Sequence, residues 1–426
     1  MRALYSIVYA LGFFLSSPYW IFRGLKNPPY RLNLKKRLLG TREPLPPKTK
    51  RPRVLVWALS LGEVRSARLL ARELDARGAE VVVCASTLSG IREARAAFPD
   101  FPVRESPLDF AYSVKKFLDA VKPDATLLVE TDIWPGFLLE SRKRNIPVTL
   151  VSARLSPKSF RRYRLGRFYF RRIWPLFRRV AAQTEEDRAK FIALGANPLT
   201  TKVTGNLKFD ETPAQADPEA KSRALGLTGW PEGRYLVAGS THPGEETIIL
   251  EAFREILPSY PELKLVLAPR DPGRFAEVAL LIQAYFPAER IARRSAPALS
   301  DAASQAFLLD SLGELSAIYA LADLAIVGKS FPGRHKGGGH NPLEPAALGV
   351  FVVAGRAVFN FQWIYGALSA AGGAELAEPQ DLALILLGLL RSPERLREMG
   401  EKGRRFVSAH QGAVRATLDF AGEDWS

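Results

Sequence analysis

The sequence holds a single cysteine, Cys84, inside the apolar run Val81-Val82-Val83-Cys84. One cysteine excludes a disulfide framework and Cys-rich metal sites, and its neighbours mark it as a core thiol. Histidine is nearly as scarce, with four in 426 residues. His335 and His340 stand five apart without a cysteine or a carboxylate pair in ligand spacing, which argues against zinc. Gly328-Lys329-Ser330 looks like part of a phosphate-binding P-loop. That motif needs a glycine five residues earlier, and Asp323 stands there instead. No long low-complexity segment or internal repeat is evident. Acid is missing altogether from residues 151–180, which carry ten Arg or Lys.

What is present bounds the rest. The length suits two domains, and 47% hydrophobic residues support sizeable cores. A net charge of +16 points to an anionic partner: nucleic acid, acidic lipid headgroups or a phosphorylated substrate. Residues 3–22 carry no charge, about the length that crosses a bilayer as a helix. Pro18 and Ser16-Ser17 weaken a spanning helix, and Tyr19 and Trp20 suit an interface. No small-x-small cleavage site marks a signal peptide. Arg23, Lys26, Arg31, Lys35, Lys36 and Arg37 follow this stretch, so the positive-inside rule places the remaining chain in the cytoplasm. Residues 41–52, rich in Pro, Lys and Arg, read as a linker.

An α/β alternation begins at Arg53. Strands are predicted at 53–58, 81–85, 125–129 and 148–151, with helices between them. Such alternation implies a parallel sheet whose ligands gather at strand carboxyl ends. Glu63 and Glu130 each fall just after such an end. Glu63 also suits a first-turn acid on a helix dipole, and Glu130 a carboxylate bonding loop N–H groups. Two acids on one rim favour a site. The basic stretch 151–180 interleaves Phe160, Tyr163, Phe168, Tyr169, Phe170, Trp174 and Phe177 with its arginines. That mixture suits an anionic membrane surface or amphiphile, a nucleic acid, or a solvated face over a core stripe.

A second series starts near Thr201, with strands predicted at 235–238, 263–267, 307–310, 324–327 and 350–354. After the first of these comes Gly239-Ser240-Thr241-His242-Pro243-Gly244-Glu245. Ser240 or Thr241 can cap the next helix there, in a turn suited to phosphate. After 324–327 comes Gly337-Gly338-Gly339-His340-Asn341-Pro342-Leu343-Glu344-Pro345. Asn341 suits an N-cap, Pro342 the first helical position and Glu344 the third. Glycines before a helix N-terminus let backbone N–H groups approach an anion. The same residues also make an ordinary capping box.

Two doubly wound halves, with rim carboxylates in the first and phosphate-suited turns in the second, suggest a two-domain glycosyltransferase. Nine motifs in register then resemble the 3-deoxy-D-manno-octulosonic acid (Kdo) transferases. They are Trp57-Ala58-Leu59-Ser60-Leu61-Gly62-Glu63-Val64, Pro107-Leu108-Asp109, Glu130-Thr131-Asp132-Ile133-Trp134-Pro135, Ala153-Arg154-Leu155-Ser156, Gly205-Asn206-Leu207-Lys208-Phe209-Asp210, Ser240-Thr241-His242, Ala268-Pro269-Arg270, Gly313-Glu314-Leu315 and Gly338-Gly339-His340-Asn341-Pro342-Leu343-Glu344-Pro345.

The resemblance implies an α/β protein of GT-B type, two Rossmann-like domains facing a central cleft, with an N-terminal membrane anchor. The implied divisions are 1–40 for the anchor, 41–204 for the acceptor domain and 205–395 for the donor domain. Helices in 396–426 are expected to pack back on the first domain. It further implies CMP-Kdo as donor, a bisphosphorylated lipid A precursor as acceptor, the cytoplasmic face of the inner membrane as location, inversion, no obligatory metal or other cofactor, and no nucleic-acid partner. Glu63 matches the catalytic base. Glu130, Arg154 and Ser156 fall on the acceptor side. Lys208, Ser240, Thr241, His242, Arg270, Gly313, Glu314, Gly339, Asn341 and Glu344 fall on the donor side. Another GT-B enzyme using a UDP-sugar on a lipid-linked acceptor is the alternative, and a membrane-tethered nucleic-acid binder leaves the nine motifs unexplained. Three departures bear on the donor site. Trp57 replaces a usual histidine, Asp271 follows Pro269-Arg270, and the loop before Gly338 carries Lys329, Arg334, His335 and Lys336, cations that would offset Asp271.

Overall fold

The computed structural model describes residues 2–39, 45–212, 219–296, 304–331, 333 and 336–422. The chain divides into two compact units, Met1–Glu211 with Gln411–Ser426, and Thr212–His410. In the first, seven strands form one parallel sheet: β1 (Arg53–Trp57), β2 (Glu80–Ala85), β3 (Val103–Glu105), β4 (Ala125–Val129), β5 (Val148–Ala153), β6 (Arg179–Ala182) and β7 (Thr201–Val203). Their order is β3-β2-β1-β4-β5-β6-β7. Val54, Leu55 and Val56 are fully buried, as are Leu127, Leu128 and Val129. Unbroken apolar runs are what a parallel strand covered on both faces requires. Trp57 lies in this core, 4.2 Å from the Phe137 ring centroid, so it faces packing and not the rim.

The second unit repeats the plan with β8 (Tyr235–Thr241), β9 (Lys264–Pro269), β10 (Ile291–Arg293), β11 (Ala306–Leu308), β12 (Leu324–Val327), β13 (Phe351–Gly355) and β14 (Ala374–Ala377). The order is β10-β11-β9-β8-β12-β13-β14. In each sheet the winding direction reverses once, between β1 and β4 and between β8 and β12. Crevices at the carboxyl ends of such strand pairs are where doubly wound sheets take ligands.

The boundary falls at Glu211/Thr212 and not at 204/205. Residues 205–211 stay with the first unit because Leu207 is fully buried in its core. The helix Pro393–Ala409 stays with the second, where Leu396 joins the core. Only the helix Ala413–Ala421 packs on the first unit, through Val414 and Leu418. Asp210 fastens its start, accepting from the N–H groups of Gly412 and Val414 at 2.7 Å each.

Three helices precede β1: α1 (Arg2–Leu15), α2 (Ser17–Lys26) and α3 (Pro28–Leu39). α1 lies against the first unit. Tyr5 Oη donates to Asp109 Oδ2 at 2.6 Å, and the Tyr9 and Phe13 rings sit 5.0 and 5.2 Å from that of Phe110. α3 is tied down by Arg37 Nε to Ser106 O at 3.0 Å. Ile7, Leu11, Phe14, Leu15, Ile21, Phe22 and Leu25 are nonetheless exposed. Among the described residues no single helix is long and apolar enough to cross a membrane. Tyr5–Leu15 and Ser17–Lys26 meet that test only together, as a pair bent by 50°.

Candidate active site

Glu63 occupies the first turn of the helix Leu61–Ser66, directly after β1. Ser60 caps that helix, its Oγ accepting from Glu63 N. The Glu63 carboxylate returns two bonds, accepting from Leu59 N at 2.7 Å and Ser60 Oγ at 2.7 Å. This resembles a capping box, with the returned bond falling on Leu59 N, one residue before the cap, and it fixes a half-buried carboxylate at the rim. Burial pushes its pKa up to about 7; Asp132 and Glu130 add repulsion, which the two hydrogen bonds only partly offset.

Glu130 follows β4 on the same rim, across the point of reversal. Its φ is +58°, a left-handed conformation that a residue with a Cβ adopts at a cost. Lys208 Nζ lies 2.8 Å from Oε1 and Arg154 Nε 3.4 Å from Oε2. Burial alone would raise its pKa, but these cations outweigh it and hold Glu130 below the usual carboxylate range. Lys208, expected on the donor side, lies in the first unit here. Asn206 directs it there by capping the turn Leu207–Phe209. Ser156 is an N-cap whose Oγ accepts from Ser159 N at 3.1 Å, so its hydroxyl is engaged in starting the helix Pro157–Leu165. Of the aromatic residues in 151–180, Trp174 and Phe177 are core, whereas Phe168 is 71% exposed beside exposed arginines.

In the second unit the rim is built from the ends of β8 and β12. Ser240 and Lys329 both take positive φ, +56° and +61°. Gly328 is required between them, since a Cβ there would meet Ser240 O at 2.4 Å. The organising group is Glu245, fully buried. Its carboxylate accepts from the N–H groups of His242 (2.9 Å), Lys329 (2.7 Å), Ser330 (2.8 Å) and Phe331 (2.9 Å). Ser240 or Thr241 is the cap that the sequence suggests for the helix that Glu245 begins. Gly244 is the N-cap instead, at φ +94°, which turns Glu245 inward under the loop after β12. Thr241 Oγ1 donates to the buried Glu246 at 2.9 Å, and Arg274 pairs with the same carboxylate at 2.8 Å.

His242 and His340 meet across the reversal point, Nε2 to Nε2 at 2.9 Å. The helix after Asn341 is short, Leu343–Ala347, and begins one residue later than expected. Asn341 Oδ1 still accepts from Leu343 N at 3.2 Å. Gly337, Gly338 and Gly339 all have positive φ. Their loop does not offer its N–H groups as an open cradle. Gly338 N donates to Ala357 O at 2.6 Å, Gly339 N to Lys329 O at 2.8 Å and His340 N to Gly328 O at 3.1 Å. The glycines instead hold His340 and Asn341 at the rim.

Glu344 accepts from Ser316 Oγ at 2.8 Å. Glu314, following Gly313 (φ +85°), is held by Arg294 at 2.9 Å; hydrogen bonds from that guanidinium depress its pKa. Arg270 comes to the rim through its backbone N–H on Thr241 O at 3.0 Å. Asp271 is exposed and caps Gly273 N at 3.0 Å. Arg334 and His335 lie outside the described residues. Among the described residues no group of three His, Cys, Asp or Glu is arranged to hold a metal ion.

Two parallel doubly wound units, each with a polar rim at its switch point, define a two-domain α/β protein of GT-B type. The fold is shared with UDP-GlcNAc 2-epimerase from Neisseria meningitidis bound to UDP-GlcNAc, at a TM-score of 0.60 and 16% identity, over 87% of this chain and 100% of that one. The family described as 3-deoxy-D-manno-octulosonic-acid transferase (kdotransferase) matches residues 32–211. A 3-deoxy-D-manno-octulosonic acid transferase of Haemophilus influenzae is 34% identical over 93% of this chain and 92% of its own length. One of Bordetella pertussis is 38% identical over 87% of each. The chain belongs to the 3-deoxy-D-manno-octulosonic acid transferase family.

Proposed function

We propose that the protein moves Kdo from CMP-Kdo to a lipid A precursor, with inversion at the anomeric carbon, in lipopolysaccharide synthesis. The acceptor hydroxyl attacks that carbon while the bond to the CMP phosphate oxygen breaks, and the electron pair leaves with the phosphate. The hydroxyl proton goes to Glu63. The observation that carries the reading is the Glu63 carboxylate fixed at the rim after β1 by Leu59 N and Ser60 Oγ; burial raises its pKa to about 7, and a base poised near neutrality is the efficient choice for this transfer. CMP is a good leaving group, so no carboxylic acid is asked to protonate it. The negative charge on its phosphate would be met by Arg270 and by the Ser240-Thr241-His242 turn and His340-Asn341. Glu344 and Glu314 are suited to ribose hydroxyls. Lys208 and Arg154, loaded on Glu130, and the arginines of 151–180 are suited to acceptor phosphates.

The exposed apolar residues of α1 and α2, followed in the sequence by Arg23, Lys26, Arg31, Lys35, Lys36 and Arg37, support docking on the anionic cytoplasmic face of the inner membrane. A donor screen tests the reading. Purified protein with a lipid A precursor should accept sugar from CMP-Kdo, generated in place, and none from UDP-sugars. Transfer from a UDP-sugar with none from CMP-Kdo would overturn it.

A further inference from the structure

A pocket of about 480 Å³ opens beside the rim of the first sheet, walled by Gly12, Phe13, Trp20, Asn33, Leu34 and Trp134 among others. Its size is that of a small-ligand site, about 300–1,000 Å³. The walls are mostly apolar, but two polar atoms in its lining residues are buried without a partner among the described residues, Asn33 Oδ1 and Trp134 Nε1. Buried polar atoms are nearly always paired, so each such exception calls for a ligand or another cause. Asn33 is only 8% exposed. Its amide orientation is fixed, because Nδ2 donates to Ser86 O at 2.9 Å, which leaves Oδ1 as the open acceptor. The pocket thus offers a mostly apolar channel, with Arg37 also in its lining and with one unpaired acceptor and one unpaired donor among its residues.

Two observations say what enters. Val8 lines the pocket and is also 59% exposed, continuous with the apolar faces of α1 and α2. Trp134 stands two residues from Asp132, whose charge acts on Glu63. One end of the pocket therefore opens to an apolar surface, and Trp134 in its wall follows β4 in the same loop as Glu130. We propose that this pocket is the acyl subsite of the acceptor. One fatty chain of the lipid whose hydroxyl Glu63 activates lies along Phe13, Trp20 and Trp134, and polar groups on that chain, a hydroxyl or an amide, donate to Asn33 Oδ1 and accept from Trp134 Nε1. Plain hydrocarbon chains of bilayer phospholipids would leave both atoms unpaired. The assignment rests on the glycosyl-transfer reading above and adds the part of the acceptor that is recognised.

Gly12→Phe tests it in the full chain. A Cβ at Gly12 meets nothing within 4 Å, and replacing a helical glycine favours the helix, so the ring fills the pocket without a clash at its root. Transfer from CMP-Kdo is measured to a detergent-dispersed acylated acceptor and to its water-soluble deacylated form. Wild type should use both, with a lower KM for the acylated one. Gly12→Phe should raise KM for the acylated acceptor about tenfold or more and leave the deacylated one unchanged. Trp134→Phe keeps an aromatic wall and removes the donor. It should narrow the preference for chains bearing a hydroxyl over plain chains, and it serves if Gly12→Phe fails to fold. Unchanged KM for the acylated acceptor in both variants overturns the subsite, as does an equal loss on both acceptors. Loss of vesicle binding with unchanged KM in detergent assigns the pocket to a bilayer lipid and overturns it too. Transfer by wild type to neither acceptor is a different result. It fails the transfer reading itself, and the subsite with it.

Discussion

Glu63 and Glu130 end neighbouring strands of one sheet, yet their surroundings drive them apart. Glu63 meets a backbone N–H and a hydroxyl, and its pKa rises to about 7. Glu130 meets Lys208 and Arg154 and stays ionised. Paired acids pushed in opposite directions are how a site divides its roles. As the proposed base Glu63 would work ionised, so the turnover rate should fall as pH drops through about 7. Asp132 is one of the charges that raise Glu63. Asp132→Asn should therefore move the acidic limb of the pH–rate profile to lower pH; a limb that stays put would show that another group titrates. Glu63 was readable from the sequence, because a capping acid at a strand end has a local signature. Lys208 was not, because its partner Glu130 is brought to it by the path of the crossing segment. The role of Glu245 was not legible, because one positive-φ glycine, Gly244, decides which way it turns. Glu245→Gln should weaken its hold on four N–H groups and destabilise the protein by about 2–3 kcal/mol. A lowered denaturation midpoint together with weaker CMP binding would register this, and wild-type values for both would refute the role.

The elements that the sequence shows are those with long apolar runs. β1, β4, β8 and β12, which frame the two rims, all fall where unbroken Val/Leu/Ile stretches place them. β3, β7, β10 and β14 have three or four residues each and lie at the sheet edges. An edge strand needs little apolar length and leaves little pattern. β6 was hidden inside the basic stretch, whose far end turns into core at Ile173, Trp174 and Phe177. α1 shows how one bond can fix an element. Tyr5 donates to Asp109, which also accepts from Gly136 N and Phe137 N at 2.7 Å each. Burial pushes Asp109 up to about 6 despite these bonds. The folded state thus holds the Asp109 proton more tightly than the unfolded chain, whose carboxyl titrates near 3.8. This residue's contribution to stability is full below that pH and is lost as pH rises through about 6. Tyr5→Phe removes a bond to the charged form, so that loss should deepen. Faster amide exchange in α1 at pH 8 than at pH 5, relative to wild type, is the expected result. Identical exchange at both would mean that ring packing alone holds the helix.

For the whole molecule, two α/β series and a charge of +16 are legible in composition and order. The return of the last helix to the first unit was only partly legible, since its anchor, Asp210, lies about 200 residues earlier and joins it only in three dimensions. The basic charge is concentrated where Arg161, Arg162, Arg164 and Arg167 stand exposed. Converting Arg161, Arg162 and Arg164 to Glu should weaken binding to anionic vesicles at low salt and flatten its dependence on ionic strength. Binding equal to wild type would leave the apolar helices as the sole contact. Glu63 is the proposed base, and its most direct test compares Kdo transfer from CMP-Kdo by wild type and Glu63→Gln, with CMP binding measured on both. Glu63→Gln should lower the turnover rate by about 10²–10⁴, the usual weight of a general base, and bind CMP as wild type does. Turnover within a few-fold of wild type would contradict the assignment and move the base elsewhere on the rim.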